Sequence, residues 1–193
     1  MGKHRKVDET PYGGGAGMVL RPEPIVRALE ESERSAPCGK MHKVLMSPQG
    51  ERFTQGKAER LSRSDLPIAL ICGRFEGFDE RVRSYVDEEI SIGDYILLGG
   101  ETAAMAIVEA VGRLMPGVVG NSDSLCAESF GGDLLEYAQY TKPAEFRGQR
   151  VPEVLISGNH REIAKWRKKS ALAKTEARRA DLLNRYLAKN ETE

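Results

Sequence analysis

Hydrophobic positions along this chain fall into two patterns: short continuous apolar runs, and longer stretches in which apolar residues recur every three or four positions. The continuous runs predict β-strands at residues 43–46, 68–72 and 95–98, and residues 88–90, next to a Gly-Asp turn, are also strand-like. The helical spacing predicts α-helices, at residues 22–34, 57–61, 79–86, 101–114, 160–168 and 180–188. Strands that alternate with helices are typical of an α/β fold with a mostly parallel sheet, and that is the fold class we expect.

Glycine-containing turns follow three of the predicted strands, at residues 47–50, 73–77 and 97–101. Ligands of open parallel sheets bind at the carboxyl ends of the strands, and glycine lets the main chain approach a ligand closely. The chain contains neither the G-x-G-x-x-G fingerprint of dinucleotide-binding proteins nor the Gly-Lys-Ser/Thr of a P-loop. Each turn alone is compatible with a purely structural role, but the three together predict a small-molecule pocket.

The composition narrows the class of protein. The chain has 193 residues, 40% of them hydrophobic and 30% charged, which suits one full domain with, at most, a small appendage. It has no run of 18 apolar residues and no apolar signal-peptide core at its start, so we expect no membrane span and a cytoplasmic location. Cys38, Cys72 and Cys126 lie far apart, which fits neither a disulfide framework nor a metal-binding cluster.

The net charge of zero conceals a separation of charge along the chain. Residues 65–109 contain ten acidic residues and three arginines, a net charge of −7, whereas residues 142–185 contain twelve Lys or Arg and five acidic residues, a net charge of +7. Such a basic segment indicates contact with a polyanion, or else an ordinary solvated helix face. Composition alone does not decide between the two.

Eight segments, in order, resemble the signature blocks of one enzyme family. They are PYGGGAGMVL, LMSPQG, LICGRFEGFDERV, DEEISIGDYILLGGETAAM, RLMPGVVGN, ESF, YTKP and VPEVLISGNHREIAKWR. The family is that of the bacterial tRNA (guanine-37-N1)-methyltransferases, members of the knotted SPOUT superfamily. The resemblance extends from residue 2 to about residue 183, which is nearly the whole chain.

The resemblance implies an α/β fold whose mostly parallel sheet carries a deep C-terminal trefoil knot, followed by a small helical domain. It divides the chain into a knotted methyltransferase domain at 1–120, a linker at 121–134 and a helical tRNA-binding domain at 135–193. It also implies a homodimer with active sites at the subunit interface. The family's usual first strand and helix precede the segment that matches residue 2, and without that strand we expect exposed apolar sheet edges.

The resemblance further implies that the cofactor is S-adenosylmethionine, bound in the knot, and it leaves the participation of Mg²⁺ open. Carried over by motif, the cofactor-binding residues are Leu45, Ser47, Pro48, Gly50, Gly73, Phe75, Glu76, Ser91, Ile92, Tyr95, Leu97, Gly99 and Gly100. Phe75 stands where the family more often has tyrosine. Glu76 would lie near the sulfonium or the target base, and its alternative role is an ion pair with Arg74 or Arg81.

Methylation of guanine N1 requires loss of the N1 proton while negative charge builds toward O6. A carboxylate near N1 and a cation near O6 meet these demands. The resemblance assigns the cation to Arg113 and the base to Glu128, which immediately precedes Ser129 and Phe130. The family usually has aspartate at this position, so Glu128 carries one additional methylene. The alternatives are an ordinary helix-end charge for Arg113 and a surface loop position for Glu128.

Further residues are expected to bind the tRNA substrate. The glycine-rich loop at 13–17 would close over a flipped guanine, and basic residues near the C-terminus would hold phosphates. The resulting substrate-binding residues are Gly13, Gly15, Gly17, Ser157, Asn159, Lys165 and Arg167.

Two other functions remain open at this stage. One is another SPOUT activity, ribose 2′-O-methylation, which would not need Arg113 and Glu128 in the roles given above. The other is a truncated, catalytically silent module that binds RNA or S-adenosylmethionine.

Overall fold

The computed structural model describes residues 6–119, 128–130 and 133–190. The chain divides into two compact units, Met1–Val119 and Gly120–Glu193. The elements of the first unit are β1 (Asp8–Glu9), β2 (Val19–Leu20), α1 (Pro22–Ser35), β3 (His42–Arg52), α2 (Gln55–Ser62), β4 (Ile68–Ile71), a 3-10 helix (Glu80–Tyr85), β5 (Glu88–Ser91) and α3 (Glu101–Gly112). Those of the second unit are β6 (Glu145–Phe146), β7 (Gln149–Arg150), α4 (Glu153–Ile156), α5 (His160–Arg178) and α6 (Ala180–Asn190).

The sheet of the first unit has the order β4-β3-β5, and its three strands are parallel. Helices alternate with these strands along the chain, so the predicted α/β class with a parallel sheet is confirmed. The apolar run of β4 pairs with residues 42–45 of β3, but its side chains are only half-buried because β4 lies at the edge of the sheet.

The prediction that residues 47–50 form a turn that ends the strand at 43–46 is wrong. Met46 faces Ile90 of β5, and after four intervening residues Glu51 faces the same Ile90, so β3 continues through a bulge to Arg52. Gly50 makes this path possible, since a Cβ there would lie 2.5 Å from the carbonyl carbon of Glu89. A bulge re-aims the residues that it carries, and here it directs 47–49 away from the ladder.

The core of the first unit forms where α2 and α3 pack on the sheet. Its buried members are Val44, Met46, Leu61, Ile90, Ala103, Ala104 and Ile107. Small residues on α3 allow that helix to lie close to the strands. Because successive residues of a strand point to opposite faces, Leu45, which is fully buried, points away from this core.

Two other predicted elements differ from the structure. Residues 95–98 do not form a strand; Ile96 and Leu98 are instead 81% and 93% exposed. Their apolar character predicted burial in the sheet, but their side chains lie on the surface of this chain. The helix predicted at 79–86 is a 3-10 helix whose first N–H groups are capped by Asp79, which accepts from Arg81 N.

The second unit is built around α5. Asn159 accepts a hydrogen bond from Glu162 N and caps this helix as predicted, but the helix extends ten residues beyond the predicted end at 168, to Arg178. Ala171 and Thr175 are buried one turn apart and continue its apolar face. Trp166 packs edge-on against Tyr140, with ring centroids 6.1 Å apart. Within the ranges described, none of the helices is long and apolar enough to span a membrane.

Candidate functional site

A cavity of about 470 Å³ opens where the bulge of β3 meets the carboxyl ends of β4 and β5. The bulge of β3, the 73–77 turn after β4, and the 91–100 segment after β5 form its walls. Its volume is in the range occupied by small-molecule sites. The three glycine-containing segments of the sequence are therefore brought together around one space. Two of them follow strand ends, as the rule for parallel sheets predicts, whereas 47–50 enters the wall as a bulge within β3.

Glycines allow these segments to approach one another closely. Gly100 N donates to Gly73 O at 2.9 Å, and a Cβ at Gly100 would lie 3.0 Å from the Cα of Cys72. A Cβ at Gly73 would lie 2.6 Å from the ring of Phe78. Larger residues at either position would push the walls apart.

The 73–77 turn presents an aromatic side chain to the cavity. Gly77 N donates to Arg74 O at 3.1 Å, which closes the turn. Phe75 occupies the left-handed region with φ 60°, a conformation that is costly for a bulky residue and that clusters at binding sites. Its ring is 64% exposed and lines the cavity, where it offers a flat apolar surface.

Glu76 places a carboxylate in the cavity wall. Arg74 pairs with Glu101 at 2.9 Å, and Arg81 pairs with Asp79 at 2.7 Å. Neither arginine is therefore the partner of Glu76, and within the described residues the structure shows no ion pair for it. The alternative role of Glu76 in such a pair is wrong.

The ionisation of two side chains near the start of α3, Glu101 and Cys72, depends on their surroundings. Hydrogen bonding to its own backbone N–H lowers the pKa of the Glu101 carboxyl, and Arg74 adds to the effect. Burial raises the pKa of the nearby Cys72 thiol, and Glu101 raises it further. Glu101 is therefore an anion and Cys72 a neutral thiol at neutral pH.

The glycine-rich loop reaches the cavity through Glu76. Gly13, Gly15 and Gly17 all have positive φ, and a Cβ at Gly17 would collide with the Glu76 carboxylate. Glu76 N donates to Met18 O at 3.0 Å, which ties the end of the loop to the 73–77 turn. The loop is exposed over its whole length.

Most of the residues assigned to the cofactor lie in the cavity wall. These eleven are Ser47, Pro48, Gly73, Phe75, Glu76, Ser91, Ile92, Tyr95, Leu97, Gly99 and Gly100. Leu45 is fully buried, and Gly50 lies against the backbone of β5; neither lines the cavity. The wall also includes Gln49 and Arg83, which sequence reasoning missed because nothing in their spacing along the chain indicates that they meet.

The two residues assigned to catalysis fall in different units. Arg113 is half-buried and follows the last residue of α3, with its N–H bonded to Glu109 O at 3.1 Å. Glu128 is half-buried in the second unit. Beside it, Ser129 Oγ accepts from Glu136 N at 2.9 Å, and Phe130 N donates to Leu134 O.

The remaining substrate-binding candidates surround the start of α5. Asn159 uses its side-chain oxygen to cap the helix, and its N–H donates to Ser157 Oγ at 3.2 Å. Lys165 is 61% exposed and pairs with Glu162, and the guanidinium of Arg167 lies 4.8 Å from the ring centroid of Tyr137. Within the described parts of the chain, no group of three or more His, Cys, Asp or Glu is arranged to hold a metal ion.

Comparison with known proteins bears on this site. The model of the family "tRNA (Guanine-1)-methyltransferase TrmD" matches residues 1–185. The chain is 53% identical over 190 residues to the tRNA (guanine-N(1)-)-methyltransferase of Syntrophotalea carbinolica, covering 98% of the chain and 76% of the relative. It is 55% identical over 185 residues to the enzyme of that name from Geobacillus kaustophilus, covering 95% and 75%. For the enzyme of that name from Myxococcus xanthus, identity is 52% over 186 residues, covering 96% and 74%.

These alignments cover 95% or more of the chain, so they include parts of both compact units. By this similarity and by the family model that covers residues 1–185, the chain belongs to the tRNA (guanine-1)-methyltransferase family.

Proposed function

We propose that this protein transfers the methyl group of S-adenosylmethionine to N1 of guanine 37 in tRNA, next to the anticodon. The observation that carries the proposal is the cavity at the strand ends, with eleven family-assigned residues in its wall, in a chain of this family. Because tRNA is its substrate, we propose that it acts in the cytoplasm.

The cavity is the proposed binding site for the methyl donor. Phe75 and Leu97 offer apolar surface for a flat heterocycle, and the glycines at 73, 99 and 100 let the main chain approach the donor closely. When bound, the donor supplies an electrophilic methyl group on a positively charged sulfur. The Glu76 carboxylate is placed to favour that positive charge.

We further propose that the backbone of the first unit forms a trefoil knot around this site. The support is the close approach of separate segments: Gly100 against Gly73, and Gly50 against the backbone of β5. Knots are rare in proteins, and a knotted crossing requires this kind of glycine-permitted contact.

Two residues are proposed to act on the guanine. Glu128 accepts the N1 proton as N1 becomes the nucleophile, and Arg113 stabilises the negative charge that develops on O6. The glycine-rich loop closes over the base, which must leave its stack to react. Its end is bonded to the turn that carries Glu76, so closure of the loop and binding of the donor share one contact.

The exposed basic residues of α5 are proposed to hold the tRNA backbone. Lys165, Arg167, Lys168 and Lys169 are exposed along this helix, and lysine and arginine bind phosphates without regard to sequence. Ser157 and Asn159 shape the start of the helix. We therefore propose that the second unit makes the contact with a polyanion, which is one of the two interpretations that the charge distribution allows.

We propose a homodimer because the first unit exposes an apolar surface that water solvates poorly. Met105 and Val108 of α3 are 70% and 60% exposed, and Ile96 and Leu98 are more exposed still. A second copy of the chain would cover these side chains. This places the interface beside the cavity, since 95–98 belongs to both.

The test is methyl transfer to an unmodified tRNA transcript, with the product located by digestion and mass spectrometry. We expect N1-methylguanosine at position 37 and no product when that position is adenosine. Glu128→Gln should lower kcat by about 10² to 10⁴-fold, because the general base is lost. Arg113→Met should lower it by about 10² to 10³-fold.

Glu176→Gln is the matched control, since Glu176 is exposed on α5 and has no assigned role; its kcat should equal that of the wild type. A methyl group found on a ribose would overturn the proposed reaction. Donor binding without any turnover would instead support a silent binding module.

A further inference from the structure

Arg83 joins three segments around the cavity through the three ends of its guanidinium group. Its Nε donates to Glu80 at 2.8 Å within the 3-10 helix, and one terminal nitrogen donates to Glu89 of β5. The other terminal nitrogen donates to the side-chain oxygen of Gln49 at 2.9 Å. The arginine side chain is only 25% exposed and that of Glu89 only 21%, so two of the partners in this cluster are shielded from water.

Gln49 belongs to the bulge that carries Ser47 and Pro48 into the cavity wall. Residues 47–50 make no ladder contact with β5, and Pro48 has no N–H to donate. Gln49 N is bonded within the bulge itself, to Ser47 Oγ at 3.2 Å. The bond from Arg83 thus anchors the outer part of the bulge to the rest of the unit.

We infer that Arg83 is a positioning residue for the methyl donor: by holding Gln49 against β5 and the 3-10 helix, it keeps the 47–49 wall of the cavity in its binding conformation. This inference rests on the proposed binding of S-adenosylmethionine in the cavity.

Arginine suits this role better than lysine because its planar fork donates in fixed directions to several acceptors at once. A lysine at position 83 would keep a positive charge beside Glu89 but would not bridge to Gln49 as well. Charge neutralisation and bulge anchoring are therefore separable by substitution. The first chiefly affects folding stability, and the second chiefly affects donor binding.

The experiment measures S-adenosylmethionine affinity by titration calorimetry, and in parallel the KM for the donor, the KM for tRNA, and kcat. Gln49→Leu removes the acceptor without disturbing either ion pair. We expect it to weaken donor binding by about tenfold, the effect of losing one hydrogen bond to a charged group, with the KM for tRNA unchanged. Arg83→Lys should weaken donor binding to the same degree.

A thermodynamic cycle then tests whether the two side chains act through their bond. Arg83→Lys combined with Gln49→Leu should weaken donor binding no more than either single change, because each removes the same contact. The matched control is Arg81→Lys, on the same 3-10 helix but paired with Asp79 outside the cavity wall, and it should bind the donor as the wild type does.

Wild-type affinity in Gln49→Leu and Arg83→Lys would overturn this inference and leave the proposed function intact, as would additive losses in the double variant. If the wild-type protein binds no S-adenosylmethionine, the donor assignment fails and the inference fails with it.

Discussion

Glu88 at the start of β5 offers a quantitative test of how the sheet is held together. His42 Nε2 lies 2.7 Å from its carboxylate, Arg60 donates to it at 3.0 Å, and Lys57 donates at 3.2 Å. Its side chain is 15% exposed and that of Lys57 only 4%. Burial alone would raise the pKa of Glu88, but the hydrogen bonds from His42, Arg60 and Lys57 outweigh it and hold the pKa at about 2.

The fall from the ordinary value of 4.5 corresponds to about 3 kcal/mol of folding free energy, at about 1.36 kcal/mol per pKa unit. Glu88→Gln keeps the shape and removes the charge, and it leaves the buried Lys57 with only Glu51, whose side chain is 76% exposed. Breaking a buried ion pair costs about 3 to 5 kcal/mol, so both routes predict a loss of about 3 kcal/mol at neutral pH.

The pH dependence follows from the direction of the shift. Because the folded-state pKa lies below the unfolded-state value, the stabilisation is fully present above the unfolded pKa and is lost as pH falls toward about 2. The free energy of unfolding should therefore fall more steeply with acidification in the wild type than in Glu88→Gln. The two proteins should approach equal stability at low pH.

Urea unfolding followed by circular dichroism, at several pH values from about 7 to about 3, measures both effects. Glu59→Gln is the control, because Glu59 pairs with Arg63 at 3.9 Å on the solvated face of α2 and should contribute little. The reasoning is refuted if Glu88→Gln matches the wild type at neutral pH, or if the gap between them is the same at both ends of the pH range.

Three further predictions concern other sites. Gly73→Ala should abolish measurable donor binding in calorimetry, because the new Cβ would lie 2.6 Å from the Phe78 ring; wild-type affinity would contradict the steric argument. Thr175→Val should lower the free energy of unfolding, measured by urea denaturation, by about 1 to 3 kcal/mol, because the buried hydroxyl accepts from Leu135 N at 2.9 Å. Thr175→Ser keeps the hydroxyl and should retain most of the stability. Lys168→Gln should weaken tRNA binding and reduce by about one the slope of log affinity against log salt, and an unchanged slope would exclude a phosphate contact.

Much of the fold was accessible from local patterns. The helices α1, α3 and α5 begin within a residue of their predicted starts, because Pro22, Glu101 and the Asn159 cap are signals read from neighbouring residues. The apolar run at 68–72 predicted β4 for the same reason. The strand predicted at 95–98 is wrong, since an apolar run predicts burial in a sheet whereas Ile96 and Leu98 are exposed in this chain.

The candidate site was predicted from the sequence in two steps. Physical reading of the glycine turns predicted a pocket, and resemblance to a family supplied the residues, eleven of which line the cavity. Arg83 and Gln49 were missed because they lie 34 positions apart in the chain. Hydrogen bonds across such separations leave no periodic trace in a sequence.

The sequence by itself determined the longer helices, the three strands of the parallel sheet, the α/β class and the glycines that permit close backbone contact, because these depend on neighbouring residues and on the absence of a side chain. Only the tertiary structure decided that β3 continues through a bulge, that Arg74 and Arg81 pair with carboxylates other than Glu76, and that Arg83 holds one wall of the cavity. Those outcomes depend on which distant groups meet when the strands pair, and burial then sets how strongly they interact.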